Sequence, residues 1–144
     1  MILVDTNVLV YAVNLDAPRH AASRALVEAA GEKKVAGVLF PQILLEFFAI
    51  VTDHRRVEKP LEPKIAWEQV EAFRTIFPVI DGGLKSLDLL GESAQYTKGA
   101  DIFDASLVAQ MKANGISNLC TYNTKDFLKF SGIAAQTPEE VLSV

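Results

Sequence analysis

Met1-Ile2-Leu3-Val4 is apolar at every position, and that run constrains the fold more than any other feature of the chain. A strand with one face in water would alternate polar and apolar residues, so an unbroken apolar run reads as a buried strand. Three further strand-like runs, at positions 35–40, 78–81 and 118–122, are separated by segments of helical periodicity. That succession is the pattern of βαβ units and predicts an α/β fold on a parallel sheet. A fifth short strand is expected near Gly132-Ile133-Ala134-Ala135. A chain of 144 residues buries roughly two-thirds of the surface its unfolded form exposes, so one domain over 1–144 is expected.

The helices are marked by their ends. Pro41 opens one that runs to about Thr52, since a first-position proline removes no intrahelical bond. A second begins near Pro63, with Ala66, Val70, Phe73 and Phe77 on one core-facing stripe. Gly82-Gly83 to about Tyr96 reads as a third, with Leu84, Leu87 and Ala94 turned inward. After Gly99, Asp101 is placed to cap a fourth, which ends at Asn114-Gly115, a residue pair suited to a C-terminal cap.

Half of the residues are hydrophobic, a share that leaves apolar surface for another subunit or a protein partner. The lone Cys120 excludes an internal disulfide, and no Cys/His cluster suggests structural zinc. A reducing compartment, by default the cytoplasm, is therefore expected. No apolar run reaches the roughly 18 residues that a membrane span needs, and no signal-type leader is visible. Fourteen basic residues against 18 acids give a net charge of −4, which argues at first against a polyanionic partner. If Asp5, Glu46, Asp101, Asp104 and Asp126 neutralise divalent cations, the bases slightly outnumber the remaining acids, and charge no longer decides the partner.

Those acids stand where folding alone would not put them. Asp5 follows the first strand, and in open α/β sheets ligands bind outside the carboxyl ends of strands. Glu46 lies inside Ile43-Leu44-Leu45-Glu46-Phe47-Phe48-Ala49-Ile50-Val51, and Asp104 inside Ile102-Phe103-Asp104-Ala105-Ser106-Leu107-Val108. Each has a structural alternative. Glu46 could pair with Arg55 or Arg74, Asp5 could cap the first helix, and Asp101 could cap the helix of Asp104, whose own position suits the helix dipole. One hypothesis accounts for all of them together: a hard cation held by oxygen ligands, with Mg²⁺ keeping waters for a substrate phosphate. Such an ion can activate water against a phosphodiester. No GxSxG elbow, P-loop or GxGxxG competes, and His20 and His54 sit in polar stretches that read as solvated surface.

Four segments, in this order and spacing, resemble PIN-domain ribonucleases, most closely toxins of the VapC type: Met1-Ile2-Leu3-Val4-Asp5-Thr6-Asn7-Val8-Leu9, Leu44-Leu45-Glu46-Phe47, Asp101-Ile102-Phe103-Asp104-Ala105-Ser106-Leu107-Val108-Ala109, and Thr121-Tyr122-Asn123-Thr124-Lys125-Asp126-Phe127. The resemblance implies a three-layer α/β/α sandwich around a mostly parallel sheet of four to five strands. It implies endonucleolytic cleavage of RNA dependent on Mg²⁺ or Mn²⁺, homodimerisation, and a cognate antitoxin as protein partner. Asp5, Glu46 and Asp104 become the catalytic, metal-binding acids, with Asp101 as a further metal-binding acid. The family's fourth acidic position falls on Asn123, an amide here, with Asp126 as the obvious substitute. Asn7 and Thr121 take the role of orienting carboxylates by hydrogen bonding. Arg19, Arg24, Arg55, Arg56, Lys98 and Lys125 are candidates for RNA phosphates, with solvated surface as the alternative. Two rival functions remain: a phosphatase of the haloacid-dehalogenase type, which begins with a similar strand and aspartate, and a catalytically silent PIN-like binding module. Neither the RNA nor the antitoxin is identified by the sequence.

Overall fold

A computed structural model describes residues 1–143. The elements run β1 (Ile2–Val4), α1 (Thr6–Val13), α2 (His20–Gly31), β2 (Gly37–Val38), α3 (Pro41–Val51), α4 (Pro63–Ile76), α5 (Lys85–Ala94), α6 (Asp101–Ala113), β3 (Asn118–Cys120), a 3-10 turn (Thr124–Phe127), β4 (Ala134–Gln136) and α7 (Pro138–Leu142). The four strands form one parallel sheet in the order β2-β1-β3-β4. Ile2, Leu3 and Val4 are all buried, although successive side chains of a strand point to opposite faces. Both faces of the sheet are therefore covered, as the unbroken apolar run requires. The chain has an α/β fold on a parallel sheet.

Strand pairing is tighter than the apolar runs suggest. The run at 78–81 contributes only a single parallel bridge, Leu39 to Val79, made by Leu39 N–H to the Pro78 carbonyl at 3.0 Å and Ile80 N–H to the Leu39 carbonyl at 2.8 Å. Pro78 has no N–H to give a longer ladder. The last strand falls at Ala134–Gln136, slightly later than expected, paired with Asn118–Cys120.

Helix α3 starts on Pro41 as expected, and α4 buries Ala66, Val70 and Phe73 along the expected stripe, with Phe77 just beyond it. Phe73 meets Phe47 of α3 edge-on, with ring centroids 5.1 Å apart. Helix α6 ends at Asn114 with Gly115 at a positive φ of 68°, the left-handed conformation that glycine adopts without a Cβ penalty. Two expectations for this half of the chain fail. Leu84 and Leu87 are 84% and 60% exposed. Helix α5 instead turns Ser86, Leu90, Ser93 and Ala94 inward, a side that is small at three of its four positions and lets the helix lie close on α6. Asp101 does not cap α6: the cap position is Ala100, which makes no side-chain cap bond, and Asp101 is the exposed first helical residue.

The connections set the location of the site. From β1 the chain moves to β2 on one side, and from β3 to β4 on the other. The β1/β3 boundary is thus the point where the connections diverge, and crevices outside strand carboxyl ends at such a point bind ligands. Asp5 and Thr121 follow these two strands.

The edge of the sheet depends on one close approach. A Cβ on Gly37 would lie 2.7 Å from Cε1 of the fully buried Phe77. Gly37→Ala is expected to destabilise the fold by about 1–3 kcal/mol through overpacking, lowering Tm by about 3–9 °C. Thermal unfolding measures this, and Phe77→Leu in the same chain should recover part of the loss.

Candidate active site

Asp5 begins α1 as its N-cap, with Oδ1 accepting a hydrogen bond from Thr6 N–H at 2.8 Å. Its other oxygen, Oδ2, accepts from Thr121 Oγ1 at 2.8 Å and from Asn7 Nδ2 at 3.4 Å. Capping and placement at the strand exit are therefore one arrangement. Asn7 Nδ2 also donates to Thr121 Oγ1 at 3.1 Å, and Asn7 Oδ1 accepts from Tyr122 N–H at 3.1 Å. The Thr121 hydroxyl also accepts from Asn123 N–H at 3.0 Å. Asn7 thus bridges the starts of the segments after β1 and β3.

Asp5 is only 8% exposed. Burial pushes its pKa up to about 6, against the opposing effect of the Thr121 and Thr6 hydrogen bonds, and the charges of Glu46 and Asp104 add to the rise. All three acids therefore share one region of negative potential.

Glu46 is half-buried, and its surroundings differ from the apolar face expected. Oε2 accepts from Thr6 Oγ1 at 2.9 Å and Oε1 from Gln42 Nε2 at 2.9 Å. The arginine alternatives are engaged elsewhere, Arg55 with Asp53 at 2.9 Å and Arg74 with Glu71 at 3.1 Å. Thr6 and Gln42 are the residues that sequence reasoning misses. Gln42 stands one helical turn before Glu46, the spacing at which side chains meet.

Asp104 is half-buried near the start of α6. Desolvation raises its pKa, followed by the charges of Asp126, Asp101 and Glu46, while Lys129 opposes them. Asp101, Asn123 and Asp126 are exposed, so the first and last act on Asp104 as neighbouring charges at the rim. Asn123 precedes the 3-10 turn without a side-chain cap bond.

Among the described residues, none of Asp5, Glu46, Asp101, Asp104 and Asp126 forms an ion pair with a basic side chain. Nor does any group of three or more His, Cys, Asp or Glu side chains stand close enough to hold a metal ion directly. The donor set still fits a hard divalent cation. It consists of carboxylate oxygens whose mutual repulsion is largely uncompensated, and Mg²⁺ characteristically takes one or two carboxylates and keeps several waters.

The basic candidates separate. Arg24 pairs with Glu28 at 3.0 Å on α2, and Arg55 with Asp53. The guanidinium of Arg19 lies over the Tyr122 ring at 4.4 Å from its centroid, and Tyr122 packs edge-on against Tyr11. Asn7 holds the Tyr122 backbone N–H, whereas the Tyr122 ring that carries Arg19 reaches toward Ser23 and Glu139 on α2 and α7. Arg56, Lys98 and Lys125 form no ion pair among the described residues, and Lys129 is the basic neighbour of Asp104 that the sequence reading omits. His54 is exposed, but His20 is half-buried and its Nδ1 lies 2.9 Å from the Tyr11 carbonyl, a structural contact in place of the solvated position expected.

Comparisons with known proteins identify the family of the chain. A model of the PIN-domain family matches residues 2–133. Ribonuclease VapC24 of Mycobacterium tuberculosis is 30% identical over 135 residues, covering 90% of this chain and 91% of that protein. Ribonuclease VapC48 of the same organism is 32% identical over 144 residues, covering 93% and 94%. Among solved structures, a toxin-antitoxin complex from Klebsiella pneumoniae superposes with a TM-score of 0.63 at 19% identity, covering 96% of this chain and 98% of that one. The chain belongs to the PIN-domain family.

Proposed function

We propose that this protein is a metal-dependent endoribonuclease acting as the toxin of a toxin-antitoxin pair, with Asp5, Glu46 and Asp104 as its catalytic acids. The observation that carries the reading is the uncompensated carboxylate cluster at the β1/β3 switch point. Its central member is buried, and its charge is shared with Glu46 and Asp104 rather than cancelled by a base. Similarity to proteins named as VapC ribonucleases along nine-tenths of the chain supports it. One domain over 1–144, working in the cytoplasm, is part of the same reading.

Asp5, Glu46 and Asp104 would hold Mg²⁺, with Mn²⁺ as its substitute, directly or through water, and Asp101 or Asp126 would add charge at the rim. When bound, such an ion supplies positive charge to the phosphate and lowers the pKa of the water it polarises. The chain's own contribution is orientation. Thr6, Asn7 and Thr121 hold the two oxygens of Asp5, and Thr6 with Gln42 holds those of Glu46. Arg19, stacked on the Tyr122 ring, is a cation available to RNA phosphates. The phosphatase alternative expects a second aspartate two residues after Asp5, and residue 7 is an amide. Exposed Leu84, Leu87, Tyr96 and Phe103 on and around α5 and the start of α6 support a protein partner, an antitoxin or a second copy of the chain.

Two outcomes are expected. Cleavage of a randomised-sequence RNA oligonucleotide, followed by fluorescence, should stop with EDTA and return with MgCl₂ or MnCl₂, and Asp5→Asn or Asp104→Asn should each lower it at least about 100-fold. Undiminished cleavage by either variant would refute the assignment of that acid.

The second outcome concerns stability. The folded-state pKa of Asp5 is about 6 against 3.8 for the free side chain, so folding opposes ionisation of this group. The penalty is full above pH 6 and vanishes below the unfolded value. In metal-free protein, Asp5→Asn should therefore raise stability at pH 8 by about 1–2 kcal/mol, somewhat less than a two-unit shift is worth because a charge-assisted bond is lost. The gain should fade as pH falls from about 6 toward 4, as read from denaturant unfolding at each pH.

A further inference from the structure

Behind Glu46 runs a line of side-chain amides that the acid cluster itself does not require. Gln42 Nε2 donates to Glu46 Oε1 at 2.9 Å, and Gln110 Nε2 on α6 donates to Gln42 Oε1 at 3.0 Å. Gln110 Nε2 also lies 3.3 Å from the carbonyl oxygen and from the hydroxyl of Ser106, one turn earlier on the same helix. The direction of this line is set by chemistry. An ionised carboxylate only accepts, so Gln42 must turn its nitrogen to Glu46 and its oxygen away, and that oxygen then requires a donor from Gln110. The line ties α3 to α6, the helices that carry Glu46 and Asp104.

One further residue keeps Gln110 in place. Gly82 is buried in the loop before α5, and a Cβ there would fall 2.2 Å from Gln110 Oε1 and 2.6 Å from its Cγ. Only glycine leaves room for the amide where it stands. The conflict would be with a side chain rather than with backbone, so a methyl at residue 82 displaces Gln110 without breaking the loop.

We propose that Gln42 and Gln110 are positioning residues that hold the Glu46 carboxylate oriented for the divalent cation, with Gly82 as the space that permits it. The inference rests on the metal-dependent reading above and adds to it a directional requirement. Glu46 needs the amide nitrogen of Gln42, and Gln42 presents nitrogen only while Gln110 donates to its oxygen.

The test compares Gln42→Ala, Gln110→Met, Gln110→Glu and Gly82→Ala with the full wild-type chain. Three measurements are made: Mn²⁺ binding without RNA from the EPR signal of free Mn²⁺, Tm in EDTA, and kcat and KM on the randomised RNA oligonucleotide. Loss of an outer partner of a metal ligand typically costs 10–100-fold in affinity or activity. Each variant is expected to weaken Mn²⁺ binding about tenfold or more and to lower kcat, with KM for RNA and Tm near wild type. Gln110→Glu is the diagnostic member. Its carboxylate accepts from the Gln42 amide, turning the Gln42 oxygen toward Glu46, so this near-isosteric change should weaken Mn²⁺ binding more than Gln110→Met does. A packing role predicts no such order, and a general gain of negative charge predicts the reverse.

Wild-type Mn²⁺ affinity and kcat in all four variants, while Asp5→Asn and Asp104→Asn are inactive, would overturn the relay and leave the nuclease standing. Lost Mn²⁺ binding that only accompanies a collapse of Tm in all four would mark the amides as structural and overturn it as well. Absence of Mn²⁺ binding and RNA cleavage in the wild type would overturn both readings together.

Discussion

Parallel pairing of Ile2–Val4 with Asn118–Cys120 is the constraint from which the rest of the site follows. The register sets Val4 opposite Cys120, and Asp5 N–H continues it by donating to the Cys120 carbonyl at 2.9 Å. The next residues along, Asp5 and Thr121, therefore emerge together at the same edge of the sheet, close enough for a 2.8 Å hydrogen bond. A slip by one residue would exchange the faces of the whole strand and set Cys120 or Tyr122 where the Thr121 hydroxyl stands. The apolar side chains of β1, buried on both faces, hold the register against such a slip. A core packing requirement thus fixes the position of a polar group.

That polar group is held by neutral donors only, and the choice has an electrostatic consequence. Thr6, Asn7 and Thr121 orient the Asp5 oxygens without cancelling their charge, and burial outweighs their support, leaving the pKa at about 6. Asp53 shows the other solution in the same chain. Its carboxylate is hydrogen-bonded by the side chain and backbone of Arg55, and its pKa drops to about 2. A guanidinium satisfies a carboxylate completely and leaves nothing for a further cation to neutralise. Neutral donors keep the oxygens in place and the charge available, which is the arrangement that suits a hard cation with waters of its own.

Much of this is visible in the sequence, and the parts that are not have specific physical reasons. The unbroken apolar run at the start, the prolines at 41 and 63, and the Asn114-Gly115 ending each act locally, through burial or backbone geometry, and each appears where its local chemistry puts it. Helix α5 defeats the same logic. Leucines there suggest an inward stripe through Leu84 and Leu87, but the inward side is built of Ser86, Leu90, Ser93 and Ala94, mostly small residues that allow close helix packing, and Leu84, Leu87 and Leu89 are left outside. The run at 78–81 is apolar enough for a strand, yet Pro78 and a shortened β2 reduce it to one bridge. At the site, the unusual acids are legible one by one. Their partners are not, since Thr6 and Gln42 are ordinary residues whose importance comes from facing Glu46 across 40 positions of sequence in one case and across one helical turn in the other.

The hydrogen bonds of the site form one continuous path. It passes from Tyr122 N–H through Asn7, Thr121, Asp5, Thr6, Glu46 and Gln42 to Gln110, crossing from the end of β3 to α1, α3 and α6. Each link is anchored on an element packed into the core, so Asp5 and Glu46 are oriented by the folded chain itself, before any ion arrives. Preorganisation of this kind spares the reorganisation that binding would otherwise require. Asp104 stands outside the path. Among the described residues no side chain donates to it, and Asp101, Asp126 and Glu46 surround it with like charge that Lys129 only partly offsets. Two acids are thus set by the protein and the third by electrostatic balance, so the element the cluster lacks is positive charge at the face of Asp104 that looks toward Asp5 and Glu46.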